Sequence, residues 1–185
     1  MSTVLADLFV SADGYARGEH SPGYFGYFGP DLERWIDGEM DRPRQELMGR
    51  RTYELLAGLP AEARDAGYER MSRQATTVFS RTLGSTAWPG ASVEPRDAVE
   101  VVRERKASGD LPLRTVGSLS IVRQLVNAGL VDRLRLMVFP LFVGASGAEP
   151  AYAGLDETEL ELVDQRVLDG RILLVEYRPT GTPIP

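Results

Sequence analysis

Gly49-Arg50-Arg51-Thr52-Tyr53 stands at a change of period. Residues 44–48 before it read as a short strand, and the residues after it as a helix that opens on two arginines. A strand turning directly into a helix, repeated along a chain, builds a parallel sheet covered by crossover helices. Upstream, Thr3-Val4-Leu5-Ala6-Asp7-Leu8-Phe9-Val10 is an apolar run ending at Ser11-Ala12-Asp13-Gly14, which reads as a buried strand and a turn. Residues 15–30 are rich in Gly, Tyr and Phe and read as a long surface loop, a length typical of lids and binding segments. Pro30-Asp31-Leu32 opens a helix with Leu32, Trp35, Ile36 and Met40 at helical spacing.

Downstream, strands predicted at 75–80, 91–94 and 111–116 alternate with helices at 97–108 and 118–128. A strand at 134–140 follows. Residues 160–167 and 172–177 then form a pair joined by Leu168-Asp169-Gly170-Arg171, a hairpin signal. The pattern predicts an α/β chain: a mostly parallel twisted sheet with helices on both faces and a C-terminal antiparallel hairpin. Residues 1–179 form one domain on this reading, and 180–185 a loose tail.

The 185 residues suffice for one domain with an ample core. A net charge of −6 argues against a protein that grips nucleic-acid backbone, which needs a basic face. With no cysteine, the chain has no disulfide, thiolate nucleophile or Cys-ligated metal, and with His20 as its single histidine it has no His-cluster metal site. No stretch approaches the roughly 20 apolar residues of a membrane span. The N-terminus lacks a signal-peptide pattern, so a cytoplasmic location is expected.

Three predicted strand ends lead into groups suited to an anion. At Gly49-Arg50-Arg51-Thr52 a glycine permits close approach, a helix N-terminus presents free N–H groups, and two guanidiniums supply fork geometry. Ser80-Arg81-Thr82 and Gly117-Ser118-Leu119-Ser120 are the others. In an open α/β sheet such ends share one edge, where they can converge on one ligand. No carboxylate falls between Glu69 and Glu94 or between Asp110 and Asp132, so acids are withheld around two of the three. Each signal also has a plainer reading, as solvated arginines or as a tight turn with a helix cap.

With these segments in view, the chain resembles the dihydrofolate reductase-like superfamily, and in particular stand-alone relatives of the riboflavin-biosynthesis reductase domain. Val10-Ser11-Ala12-Asp13-Gly14, Leu47-Met48-Gly49-Arg50-Arg51-Thr52-Tyr53-Glu54, Val78-Phe79-Ser80-Arg81-Thr82-Leu83, Val116-Gly117-Ser118, Gly129-Leu130-Val131-Asp132-Arg133-Leu134-Arg135-Leu136 and Pro140-Leu141-Phe142-Val143-Gly144 carry the resemblance, in order. It implies the three-layer dihydrofolate reductase-like fold, NADPH as hydride donor and a small heterocyclic, pterin- or pyrimidine-like, or carbonyl substrate. It further implies that Arg50, Arg51 and Thr52, after Gly49, meet the 2′-phosphate and pyrophosphate. Ser80 and Arg81 would flank the adenosine side, and Gly117, Ser118 and Leu119 would receive the pyrophosphate. Leu8 and Phe9 would lie beneath the nicotinamide through their backbone. Relatives commonly pair, so a homodimer is expected.

Reduction of C=N or C=O also needs a proton source. Asp7 is the sole charge in an apolar strand, and is either a catalytic acid or a strand-end carboxylate bonded to backbone. Asp31 resembles the substrate acid of folate reductases but also suits a helix cap. Trp35, one turn on, either flanks a flat substrate or packs the core. The segment after Pro140 is less basic than in relatives, so an alternative is a nucleotide-binding module on the same fold without turnover.

Overall fold

The strands are β1 (Val4–Ser11), β2 (Gln45–Gly49), β3 (Thr76–Phe79), β4 (Ala91–Glu94), β5 (Leu113–Thr115), β6 (Arg133–Phe139), β7 (Leu160–Leu168) and β8 (Ile172–Pro179). The helices are α1 (Pro30–Met40), α2 (Arg50–Ala57), α3 (Ala66–Arg73), α4 (Ala98–Ser108) and α5 (Leu119–Asn127). They come from a computed structural model that describes residues 1–109 and 111–181; of the expected tail, 182–185 lie outside the described residues. One sheet runs in the order β4-β3-β2-β5-β1-β6-β8-β7. β1 to β6 pair in parallel, and β8 and β7 fold back antiparallel, as the strand–helix alternation and the hairpin signal predict.

β1 is apolar on both faces because it lies inside the sheet, with β5 and β6 on its two edges. Val4, Ala6, Leu8 and Val10 face one layer, where α4 and α5 supply Val101, Val102, Ile121, Val122 and Leu125. The opposite face carries two separate apolar clusters. One joins Leu32, Trp35 and Ile36 of α1 to Phe9, Met137 and Phe139. The other joins Tyr53 of α2 and Tyr68 of α3 to Met48, Val78 and Trp88. Between them, over β1, β5 and β2, the face is left open to a cleft.

Two elements differ from the sequence expectation. α3 was not anticipated, because its polar sequence offers only Tyr68 and Met71 to the core cluster. It is set by an Asp65 cap that accepts from the Tyr68 N–H at 2.9 Å, and by a hydrogen bond from Trp88 Nε1 to the Tyr68 hydroxyl. The expected surface loop at 15–30 instead folds inward. The rings of Tyr24, Phe25 and Tyr27 lie 6.4, 5.4 and 5.9 Å from that of Phe139, and Phe28 alone among these four is exposed. A run of aromatics is too costly to leave in water when a sheet face lies within reach.

At the other end β7 is an edge strand, and Leu160, Leu162, Val163 and Val167 on it are exposed together with Leu173 of β8. No helix among the described residues is long and apolar enough to cross a membrane.

Candidate functional site

The cleft between the two apolar clusters encloses about 1320 Å³ and runs along the C-terminal ends of the parallel strands. At one end the β2–α2 and β5–α5 junctions meet. Gly117 and Ser118 take left-handed φ of 57° and 61°, which turns the chain sharply into α5. Ser118 Oγ accepts from the Gly49 N–H at 2.6 Å and shares a hydrogen bond with Thr52 Oγ1 at 2.7 Å. A single hydroxyl thus ties the two helix N-termini together, so their free N–H groups face one space.

Around this cradle the cations are weakly held. Arg50 lies 3.6 Å from Glu54 and is half exposed. Arg51 is 80% exposed and reaches Glu149 at 3.2 Å. Arg81, exposed, has no ion pair among the described residues. Ser80 lines the cleft, with its hydroxyl accepting from the N–H groups of Thr82 and Leu83. Leu119 is also in the wall. Sequence reasoning missed Arg123, one turn into α5, which lines the same space with its buried Nε unpartnered.

The other end is floored by charges. Asp7 of β1, Glu46 of β2, Arg114 of β5 and Arg135 of β6 alternate onto the open face, and Glu39 joins them from the last turn of α1 and Arg44 from the α1–β2 connection. Arg135 grips Asp7 in a fork at 2.7 and 2.8 Å and reaches Glu39 at 2.8 Å. Arg114 grips Glu46 in a second fork at 2.9 and 2.7 Å. Arg44 donates to Glu39 at 2.9 Å and lies 3.4 Å from Glu46. Asp7, Glu39, Glu46, Arg44 and Arg135 are buried and Arg114 is nearly so, three anions against three cations. Charges so deep persist only when paired, as these are, although Arg44 leaves its buried Nε and Nη2 without a hydrogen bond. Trp35 covers one edge, its ring 5.2 Å from the Arg135 guanidinium carbon and 6.1 Å from the ring of Phe9.

Burial alone would raise the Glu39 carboxyl, but the hydrogen bonds and charges of Arg135 and Arg44 overcome it and hold the group at about 2, against an ordinary 4.5. A carboxylate depressed in the folded state stabilises the fold above its unfolded pKa and loses that contribution as pH falls from about 4.5 to about 2. One proton over that interval is worth about 3 kcal/mol. Urea unfolding at pH 6 and pH 3 is expected to show about 2 kcal/mol of that loss, and Glu39→Gln to flatten it; the same pH slope in both proteins would remove Glu39 as its source.

Of the residues singled out in sequence, the structure gathers Leu8, Phe9, Gly49, Arg50, Arg51 and Thr52 along the cleft, with Ser80, Arg81, Gly117, Ser118 and Leu119. Asp7 and Trp35 line its far end. The strand-end reading of Asp7 is corrected: its oxygens are bound by Arg135, not by backbone, and both are occupied as acceptors. Asp31 does not line the cleft. Its carboxylate pairs with Arg34 and accepts from the Asp169 N–H, while Asp169 accepts from the N–H groups of Asp31 and Leu32. The pair clips the hairpin turn to the start of α1, and the oxygens that accept from the helix N–H groups are those of Asp169, so the helix-cap reading of Asp31 is corrected.

Comparison with known proteins agrees with this architecture. Residues 2–174 match the family described as the RibD C-terminal domain. The uncharacterised protein YyaP of Bacillus subtilis (strain 168) is 22% identical over 184 residues, covering 96% of this chain and 95% of that protein. Two solved structures share the fold. A protein from Shewanella sp. PV-4 whose name places it in riboflavin biosynthesis superposes with a TM-score of 0.78 at 15% identity, over 96% of this chain and 99% of the other. A pyrimidine reductase-like protein from Corynebacterium diphtheriae gives 0.69 at 14% identity, over 98% and 93%.

Proposed function

The chain belongs to the RibD C-terminal domain family, and from that membership and the two-ended cleft we propose that it is an NADPH-dependent reductase of a small heterocyclic or carbonyl compound. The observation that carries the reading is the convergence of two helix N-termini, stitched by Ser118, with three weakly held arginines at one end of a cleft whose other end is flat-walled and charged. Gly117 fits such a guest: a side chain there would crowd Thr52 and fill the space at the helix ends.

In this reading the N-termini of α2 and α5 hold the pyrophosphate, and Arg50, Arg51 and Arg81 hold the 2′-phosphate side. The backbone of Leu8 and Phe9 lies under the nicotinamide. Bound there, the dinucleotide supplies a hydride. The chain's own part is to orient the acceptor on the charged floor, against Trp35 and Phe9, and to exclude water with the infolded aromatics. Asp7, locked to Arg135, acts by holding the floor in place. Glu54 and Glu149 pair with Arg50 and Arg51 at this end, and a dianion would displace them from those guanidiniums.

The test is a fluorescence titration of the purified protein with NADPH and NADH. A preference of about a hundredfold for NADPH is expected, since two charge-assisted contacts to one phosphate are worth on the order of that ratio. Arg50→Ala with Arg51→Ala is expected to bring the two affinities together. Equal binding of NADPH and NADH by the unmodified protein would refute the proposal.

A further inference from the structure

Every carboxylate oxygen on the cleft floor already has a guanidinium. Asp7 Oδ1 and Oδ2 take Arg135, and Glu46 Oε2 and Oε1 take Arg114. Glu39 Oε2 takes Arg44 and Arg135, and its Oε1 lies 3.2 Å from Arg42 Nη1. Each of these oxygens is thus already engaged by a guanidinium, and Asp7 and Glu46 keep only the lone pairs beyond the one bond each oxygen accepts. Two donors on the same cleft are in the opposite condition. Arg114 commits Nε and Nη2 to Glu46, while its Nη1 lies 3.8 Å from Asp7 and 3.6 Å from Glu39 and makes no hydrogen bond among the described residues. The Tyr24 hydroxyl, in the cleft wall, also makes none among them.

Tyr24 is put there at a cost. In the turn Gly23–Gly26, Tyr24 and Phe25 take left-handed φ of 50° and 52°, a conformation that bulky residues rarely adopt and that persists where surrounding structure demands it. The turn sets the Tyr24 ring 5.4 Å from that of Phe9, two residues along β1 from Asp7 and on the same face. Burial raises the phenol's pKa, with Arg114 pulling it down and Asp7 pushing it up, so at neutral pH it is a neutral donor that feels both floor charges.

We propose that Arg114 Nη1 and the Tyr24 hydroxyl form a donor pair that selects a flat substrate by an oxygen acceptor, a carbonyl or enolate oxygen, over a counterpart carrying an amino group at that position. The pair rests on the reductase reading of the cleft and adds its specificity. A guest with an amino group there leaves both donors unmatched and brings N–H against N–H, a mismatch that buried polar sites reject strongly.

Lumazine and 2,4-diaminopteridine are flat and fluorescent and share the pteridine skeleton, the first carrying oxygens with adjacent ring N–H groups where the second carries amino groups and bare ring nitrogens. In titrations of the full chain, with and without NADP+, lumazine is expected to bind at least about tenfold more tightly. Tyr24→Phe, which removes only the hydroxyl, is expected to weaken lumazine about tenfold without weakening 2,4-diaminopteridine. Arg114→Lys should act in the same direction, and Tyr24→Phe serves as the readout should that buried change fail to fold. Equal or tighter binding of 2,4-diaminopteridine, no binding of either pteridine, or an unchanged lumazine affinity in Tyr24→Phe overturns the pair. Titrating NADPH into the same samples separates the two readings. A lost oxygen preference in a protein that binds NADPH overturns the donor pair alone, whereas absent NADPH binding overturns the reductase reading while the pteridine preference still reports on the pair.

Discussion

Arg135→Leu is expected to lower the unfolding free energy by about 3–5 kcal/mol, the cost of removing one member of a buried ion pair. For a chain of this size that is a fall in Tm of about 6–20 °C. The guanidinium holds both oxygens of Asp7 and one of Glu39, so its loss leaves two buried carboxylates short of their main partner. Asp7→Leu alone should be costly for the mirror-image reason, leaving Arg135 with Glu39 only. The double variant Asp7→Leu with Arg135→Leu should lose clearly less than the sum of the two, because the strand pair then meets as apolar surface. Thermal and urea unfolding of the four proteins measures this. Single-variant losses below about 1 kcal/mol that simply add would show the pair to be no more than a surface-like contact.

The network also explains why the face between α1 and α2 stays open. Leu8, Leu47 and Leu113 on the other face pack under α4 and α5 into one continuous core. The residues that alternate with them, Asp7, Glu46 and Arg114, would draw an apolar helix into contact with unsolvated charge. Two apolar clusters form on either side instead, and the cleft is the space they leave. The same charges that weaken the core there shape the pocket.

This is where the sequence is legible and where it is not. Strand–helix junctions such as Met48-Gly49-Arg50 declare themselves locally, since the change of period and the helix-opening residues lie within a few positions. From the order of such junctions the parallel sheet follows, and with it one shared edge for residues 49, 80 and 117. Partnerships across strands have no such signature. Asp7 and Arg135 are separated by 128 positions and meet through strand order and register, while Asp31 and Asp169, 138 apart, meet only once the hairpin turn packs on the start of α1. A signal was present: Asp7 and Arg135 each stand between apolar neighbours and Arg114 is the lone charge of its strand, and lone charges in adjacent buried strands require one another. α3 was illegible for a different reason, since its cap and two contact residues, not an apolar stripe, hold it.

Gly117→Val is expected to raise the Kd for NADPH by at least about a hundredfold while costing the fold only about 1–2 kcal/mol. Two effects combine. The φ of 57° is open to glycine and strained for a β-branched residue, which accounts for the stability loss. A Cβ at this position would stand 3.2 Å from Thr52 Cγ2, so Thr52 must yield, and with it the hydroxyl link to Ser118 that aligns α2 with α5. The two γ-methyl groups of valine would add to this crowding beside the helix N-termini. Gly117→Ala carries the strain and the Thr52 contact without the added branches, and should fall between Val and the unmodified protein. Titration and melting on the same three samples distinguish blockage from unfolding. A Val variant that melts within a few degrees of the parent yet binds NADPH within about threefold of it would place the phosphates elsewhere than between Gly49 and Ser118.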